Sequence, residues 1–133
     1  YIHDKTLRRK FFYDCHILLK EKGVVILELN NFTKFSPNPM VRLPEHSSIR
    51  AKLFTQLWQS PEQTYYIKED LQISSGKIVS IDNDEKKTVY PVSYSELEKD
   101  ALEAGFSKVE KFANFNREEF TPDSDNIVLV CHY

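Results

Sequence analysis

Few residues in this 133-residue chain have the type and spacing to do chemistry. Its four histidines, His3, His16, His46 and His132, show no HxxxH spacing, and its two cysteines, Cys15 and Cys131, form no CxxC pair. A metal site needs such convergent ligands, so none is expected. His3 stands just before a helix start and reads either as a pocket residue or as a solvent-facing group. Asn30 and Asn31 follow a short apolar run. They can hydrogen-bond a ligand at a pocket rim, or serve as ordinary loop residues after a strand. Tyr65 and Tyr66 are adjacent, so on a strand they face opposite sides and at most one lines a pocket. Trp58, with Phe54 and Leu57, reads as packing rather than an aromatic binding box.

The elements that must position these residues can be read from local pattern. Asp4 caps a helix running to about Lys22, with Leu7, Phe11, Cys15, Leu18 and Leu19 on one side. Arg8, Arg9, Lys20 and Lys22 keep the other side wet, and Arg8-Arg9-Lys10 reads as a solvated face. Gly23 suits a left-handed stop. Val24 to Leu29 then forms a strand without polar alternation, expected to be covered on both faces. Glu28 interrupts it, and either meets a basic group or marks an exposed end.

From Asn31 to Pro44 the chain reads as loop, because Pro37, Pro39 and Pro44 exclude a central strand and break any helix. Ser47 or Ser48 is expected to cap a second helix with Ile49, Leu53 and Leu57 as its stripe, ended by Ser60-Pro61. His46 would be exposed before it. Thr64 to Ile67, Leu71 to Ser74, Lys77 to Asp82 and Thr88 to Val92 read as short strands of an antiparallel meander, with turns at Ser75-Gly76 and at Asp82 to Glu85. Ser93-Tyr94-Ser95-Glu96 is a capping box opening a helix to Ala104, with Leu97, Ala101 and Leu102 inward. Gly105 stops it and Phe106 closes over the last turn. Lys108 to Phe115 and Ile127 to His132 are the final strands, joined through a turn at Pro122 to Asp125.

Composition narrows the function classes. Hydrophobic content of 41% with 29% charged residues indicates one folded domain. Net charge is −2, from 18 basic and 20 acidic residues, which gives no nucleic-acid footprint. The longest apolar run is far short of the roughly 20 residues of a membrane span. Two cysteines are too few for a disulfide framework and read as small buried hydrophobes, so a reducing, cytoplasmic setting is expected. Asp4, Arg8, Arg9 and Lys10 leave no apolar signal core near the start. The chain opens on Tyr1, already in structured-looking sequence, and the native protein is expected to be longer.

Two stretches then carry a resemblance: LLKEKGVVILEL, from Leu18 to Leu29, and SYSELEKDALEAGFSKVEKF, from Ser93 to Phe112. Their order, with the terminal apolar strand, resembles the C-terminal half of a class I S-adenosylmethionine-dependent methyltransferase. Val24 replaces the second glycine of that family's first signature. The resemblance implies an α/β fold: half of a Rossmann-like sheet with an antiparallel β-meander insertion. Residues 1–133 would be a partial domain, and 32–92 the insertion that caps the substrate pocket. Val24 to Leu29 would be the family's fifth strand, with Asn30 and Asn31 at its ligand-binding carboxyl end. The implied reaction is methyl transfer to a small acceptor. Tyr1 and Ile2 would pass the cofactor, His3 would be a general base, and Asn30, Asn31, Tyr65 and Tyr66 would touch substrate.

The family's glycine-rich cofactor loop is absent: Gly23, Gly76 and Gly105 are far apart. S-adenosylmethionine is therefore not expected to bind this chain alone, and the isolated chain is expected to be inactive. A missing N-terminal half, or a partner chain, would complete the sheet. The rival readings are a non-catalytic α/β binding or interaction module, and one half of a split enzyme.

Overall fold

The computed structural model describes residues 4–62, 64–81 and 87–133. They form two compact units, one spanning Phe35–Tyr90 and the other residues 4–34 and 91–133.

The second unit is built on helix α1 (Lys5–Leu18), strand β1 (Val24–Asn30), helix α2 (Tyr94–Ala104) and strands β8 (Lys108–Phe112) and β9 (Asn126–His132). Asp4 caps α1 by accepting from the Leu7 amide. The helix stops at Leu18, a turn earlier than the pattern suggested. Its C-cap is Leu19 in extended backbone, and Lys22, not Gly23, takes the positive φ of 65°. Gly23 is required for another reason: a Cβ there would lie 2.7 Å from Leu19 Cγ and Cδ1.

The terminal apolar strand inserts between its neighbours, giving the order β1-β9-β8, antiparallel throughout. One face of this sheet carries Val25, Leu27, Leu29, Ile127, Leu129 and Cys131. Phe12 of α1 and Leu97 and Ala101 of α2 pack onto that face as the core. The other face of β1 is open. Val24, Ile26, Glu28 and Asn30 alternate outward and are exposed, so β1 is not covered on both sides as its apolar run suggested. Glu28 sits on that outward face, which is why a carboxylate is tolerated there.

The capping box at α2 forms as the sequence specified. Ser93 Oγ accepts from the Glu96 amide and Glu96 reaches back to the Ser93 amide. Gly105 ends the helix at φ 114°, and Phe106 is buried behind it. Strand β8 ends at Phe112, short of the expected Phe115.

The Phe35–Tyr90 unit is an antiparallel sheet. It comprises β2 (Met40–Arg42), β3 (His46–Ser47), β4 (Ala51–Gln59), β5 (Tyr65–Ile73), β6 (Ile78–Ser80) and β7 (Lys87–Val89). The order is β2-β4-β5-β6, with β3 also on β4 and β7 also on β5. Residues 51–59 are strand, not the expected helix. Leu53 and Leu57 are four apart, which satisfies either period. The pairing of β4 with all of β5 decides for the strand. Ser48 still accepts from backbone amides, those of Arg50 and Ala51, but it closes a β-turn. The two strands expected at 64–67 and 71–74 are one continuous strand, β5. The stretch read as loop from 31 to 44 contains a 3-10 turn, Phe32–Lys34, and the edge strand β2 between Pro39 and Pro44. The expected turn at Asp82 to Glu85 lies outside the described residues.

Candidate functional site

Alternation along β4 and β5 sorts the side chains of the Phe35–Tyr90 sheet. Leu57, Ile67 and Val89 share one face and are buried. Tyr65 belongs to that face by parity. The opposite face carries Trp58 and Tyr66, directly opposed in the β4–β5 register. Their rings stack at 6.3 Å between centroids and 12° between planes. Lys68 Nζ lies 4.9 Å from the Trp58 ring centroid and 5.9 Å from that of Tyr66. Trp58 Nε1 donates to Gln56 Oε1 at 3.0 Å, which fixes the indole plane. Trp58 and Leu57, adjacent in sequence and expected to pack together, lie on a strand. The strand separates them, because consecutive strand residues face opposite ways. Tyr65 and Tyr66 divide between the faces as their adjacency required.

In the other unit, Asn30 ends β1 facing outward and is exposed. Asn31 is buried, 1% exposed, and its side chain is fully engaged. Nδ2 donates to the carbonyls of Pro122 and Ser124 at 3.0 and 2.9 Å, and Oδ1 accepts from Thr33 Oγ1 at 2.6 Å. Its backbone amide donates to the Asp125 carbonyl. Asn31 thus ties the end of β1 to the loop entering β9, leaving Asn30 as the asparagine that faces solvent. Tyr1, Ile2 and His3 lie outside the described residues. His46 is exposed, in a strand rather than before a helix.

Two ionic features escaped the sequence reading. Asp100 of α2 is buried, and Arg8 Nε donates to Oδ2 at 2.5 Å while Arg9 Nε donates to Oδ1 at 3.3 Å. Arg8 is therefore an inter-helix tie and not part of a solvated face. Nothing local signals it, since the partners are 92 residues apart. On β8 and β9, Glu110 Oε2 is 2.7 Å from His132 Nε2, and Lys108 Nζ is 3.1 Å from Glu110 Oε1. His132 first, then Lys108, hold the Glu110 carboxyl below its usual range. Cys131 is fully buried, and burial pushes its thiol up to about 11. Cys15, only partly buried, is also raised, chiefly by burial. Among the described residues no three or more His, Cys, Asp or Glu side chains converge to hold a metal ion. No described helix is long and apolar enough to cross a membrane.

No family model matches the chain, and no curated protein matches its sequence. Solved structures do. Over 92% of this chain, the CcbJ methyltransferase from Streptomyces caelestis superposes with a TM-score of 0.67 at 20% identity. An S-adenosylmethionine-dependent methyltransferase from Clostridium acetobutylicum ATCC 824 superposes over 93% with a TM-score of 0.67 at 14% identity. The chain covers 48% and 50% of those two chains, and so spans about half their length. At these identities the likeness is one of fold: the chain has a mixed α/β, methyltransferase-like fold.

Proposed function

We propose that this chain is the C-terminal, substrate-side half of a class I methyltransferase-like domain that transfers a methyl group from S-adenosylmethionine to a small acceptor. The observation that carries the reading is the likeness over nine-tenths of this chain to half of two methyltransferases. In this reading the β1-β9-β8 sheet is part of a Rossmann-like sheet, and β1 is the strand that the missing half would pair with. The described β1 is hydrogen-bonded on one side only, to β9, which suits that role. In this reading the Phe35–Tyr90 unit would be the insertion expected at 32–92.

The residues present do not fit the cofactor by themselves. Gly23 precedes β1 packed against Leu19, Gly76 sits in a hairpin turn and Gly105 caps a helix. None of them opens a glycine-rich turn that brings backbone amides to a ligand. The cofactor site would therefore belong to the other half, with Tyr1 and Ile2 passing its edge and His3 available as a general base. Within the Phe35–Tyr90 sheet, substrate contact is assigned to Tyr66. The carbonyl and amide of Asn31 are already used within the chain.

Two measurements test this. Calorimetric titration of the isolated chain with S-adenosylmethionine to high micromolar concentration should give no saturable heat. One-to-one binding would overturn the division of the site. The intact mass of the native protein should exceed the 15.7 kDa of this chain and approach about 25–30 kDa, one complete domain of this class. A native mass of 15.7 kDa would move the reading to a split enzyme, or to a non-catalytic α/β binding module.

A further inference from the structure

The Trp58–Tyr66 face of the Phe35–Tyr90 sheet is laid out in rows that cross the strands. One row runs Met40, Trp58, Tyr66, Thr88 across β2, β4, β5 and β7. The next, two residues along, runs Arg42, Gln56, Lys68. Beyond it come Phe54, Asp70 and Ser80. Cross-strand partners share a face, so the first row is an aromatic floor and the second a polar, cationic one. The rows are about 6.6 Å apart, two residues at ~3.3 Å each.

We propose that this face binds a planar aromatic carboxylate, its ring stacked on the Trp58–Tyr66 row and its carboxylate held by Lys68 and Arg42. As a binding site it stands on the sheet alone; as the methyl-acceptor site it rests on the methyltransferase reading. A flat ring suits this pair, whose planes lie within 12° of one another. Aromatic rings favour offset stacking on one another, so a flat aromatic ligand is suited to this pair. The negative charge follows from Lys68. Aromatic faces attract cations, but here the protein supplies its own, 4.9 Å from the Trp58 centroid. A second cation would be repelled, whereas an anion gains a charge-assisted hydrogen bond. Among the described residues Lys68 has no carboxylate partner. Asp70 is the one acidic residue in these rows, on the far side of Lys68 from the rings.

Another aromatic–lysine contact among the described residues lacks these features. Lys111 sits 4.2 Å over Tyr94, but Tyr94 and Phe120 are tilted by 40° and both pack against the core. They form no platform.

Trp58 is the chain's single tryptophan, so its emission reports on this face directly. The 133-residue chain should be titrated with 4-hydroxybenzoate, its neutral amide and cyclohexanecarboxylate, without S-adenosylmethionine. The acid should give a saturable change, with the amide and the non-aromatic anion each about tenfold weaker, the loss of one charge-assisted contact or of the stack. Lys68→Gln should erase the preference for acid over amide, and Tyr66→Leu should weaken both, with circular dichroism unchanged. No saturable change, equal affinity for acid and amide, or a Lys68→Gln variant that still discriminates would overturn the proposal. So would tighter, steeply salt-dependent binding of a short single-stranded DNA. Because no cofactor is present, the outcome is separable from methyl transfer. Acid binding by this chain, together with a native protein that shows no transferase activity, would sink only the enzyme reading, and activity on an unrelated acceptor without acid binding would sink only this one.

Discussion

Asp100 is the residue on which the helix pair turns. A carboxylate with a side chain 1% exposed must be compensated, and Arg8 and Arg9 do so unequally, at 13% and 45% exposure. Removing one partner of a buried pair strands the other charge. Asp100→Ala should therefore lower stability by about 3 kcal/mol in urea unfolding. Arg9→Ala, an exposed partner, should cost about 0.5 kcal/mol. Equal costs would mean that burial does not set the strength of this cluster. Cys131 gives a second prediction, on pH. Its thiol ordinarily titrates near 9.0 and is pushed to about 11 by burial. The unfolded chain then loses this proton at lower pH than the folded one, so stability is intact below about 9 and declines as pH rises toward about 11. Tyr94, raised to about 12 by burial and by its Glu98 contact, adds a decline above about 10. Unfolding monitored across this range should show a shallower decline between 9 and 10 in Cys131→Ala, whatever the cavity costs at neutral pH.

At the scale of elements, α2 is specified twice over. Its start rests on the reciprocal Ser93–Glu96 bonds, and Ser93→Ala should cost about 1 kcal/mol. Its end rests on Gly105, where two requirements coincide. The backbone is left-handed at φ 114°, and a Cβ would lie 2.9 Å from His16 Cε1. That ring cannot simply retreat, since it stacks on Tyr133 at 4.9 Å and meets the Phe106 ring edge-on at 5.1 Å. Gly105→Ala should cost more than the ~1 kcal/mol expected of backbone strain alone. In a double-mutant cycle, His16→Ala should recover the steric part and leave the strain. Additive losses would show that His16 has room to give. Both caps are local and were legible from residues three or four apart. The identity of β4 was not. Leu53 and Leu57 fit a helical stripe, and Ser48 fits a cap, until β5 supplies a partner along the full length of 51–59.

For the whole molecule, the open side of β1 sets behaviour in solution. Val24 and Ile26 are 44% and 55% exposed on a strand whose far edge, among the described residues, has no partner. An exposed apolar edge is a template for pairing with another chain. The isolated chain should therefore self-associate with rising concentration in sedimentation, and Ile26→Lys should return it to a monomer without lowering its unfolding midpoint. A concentration-independent monomer would show that the edge is protected.

The sequence by itself determined what depends on near neighbours: the Asp4 and Ser93 caps, the Gly105 stop and the opposite facing of Tyr65 and Tyr66. Backbone sterics and side-chain-to-amide bonds act over a turn or a pleat, and so are written in short windows. Only the tertiary structure decided what depends on distant partners. It placed β9 between β1 and β8, spent Asn31 on carbonyls more than ninety residues away, and turned Arg8 inward to Asp100. It also split Trp58 from Leu57 and set it beside Tyr66 and Lys68. Strand pairing and ion pairing are non-local choices, and a residue's own window cannot say which partner it will meet.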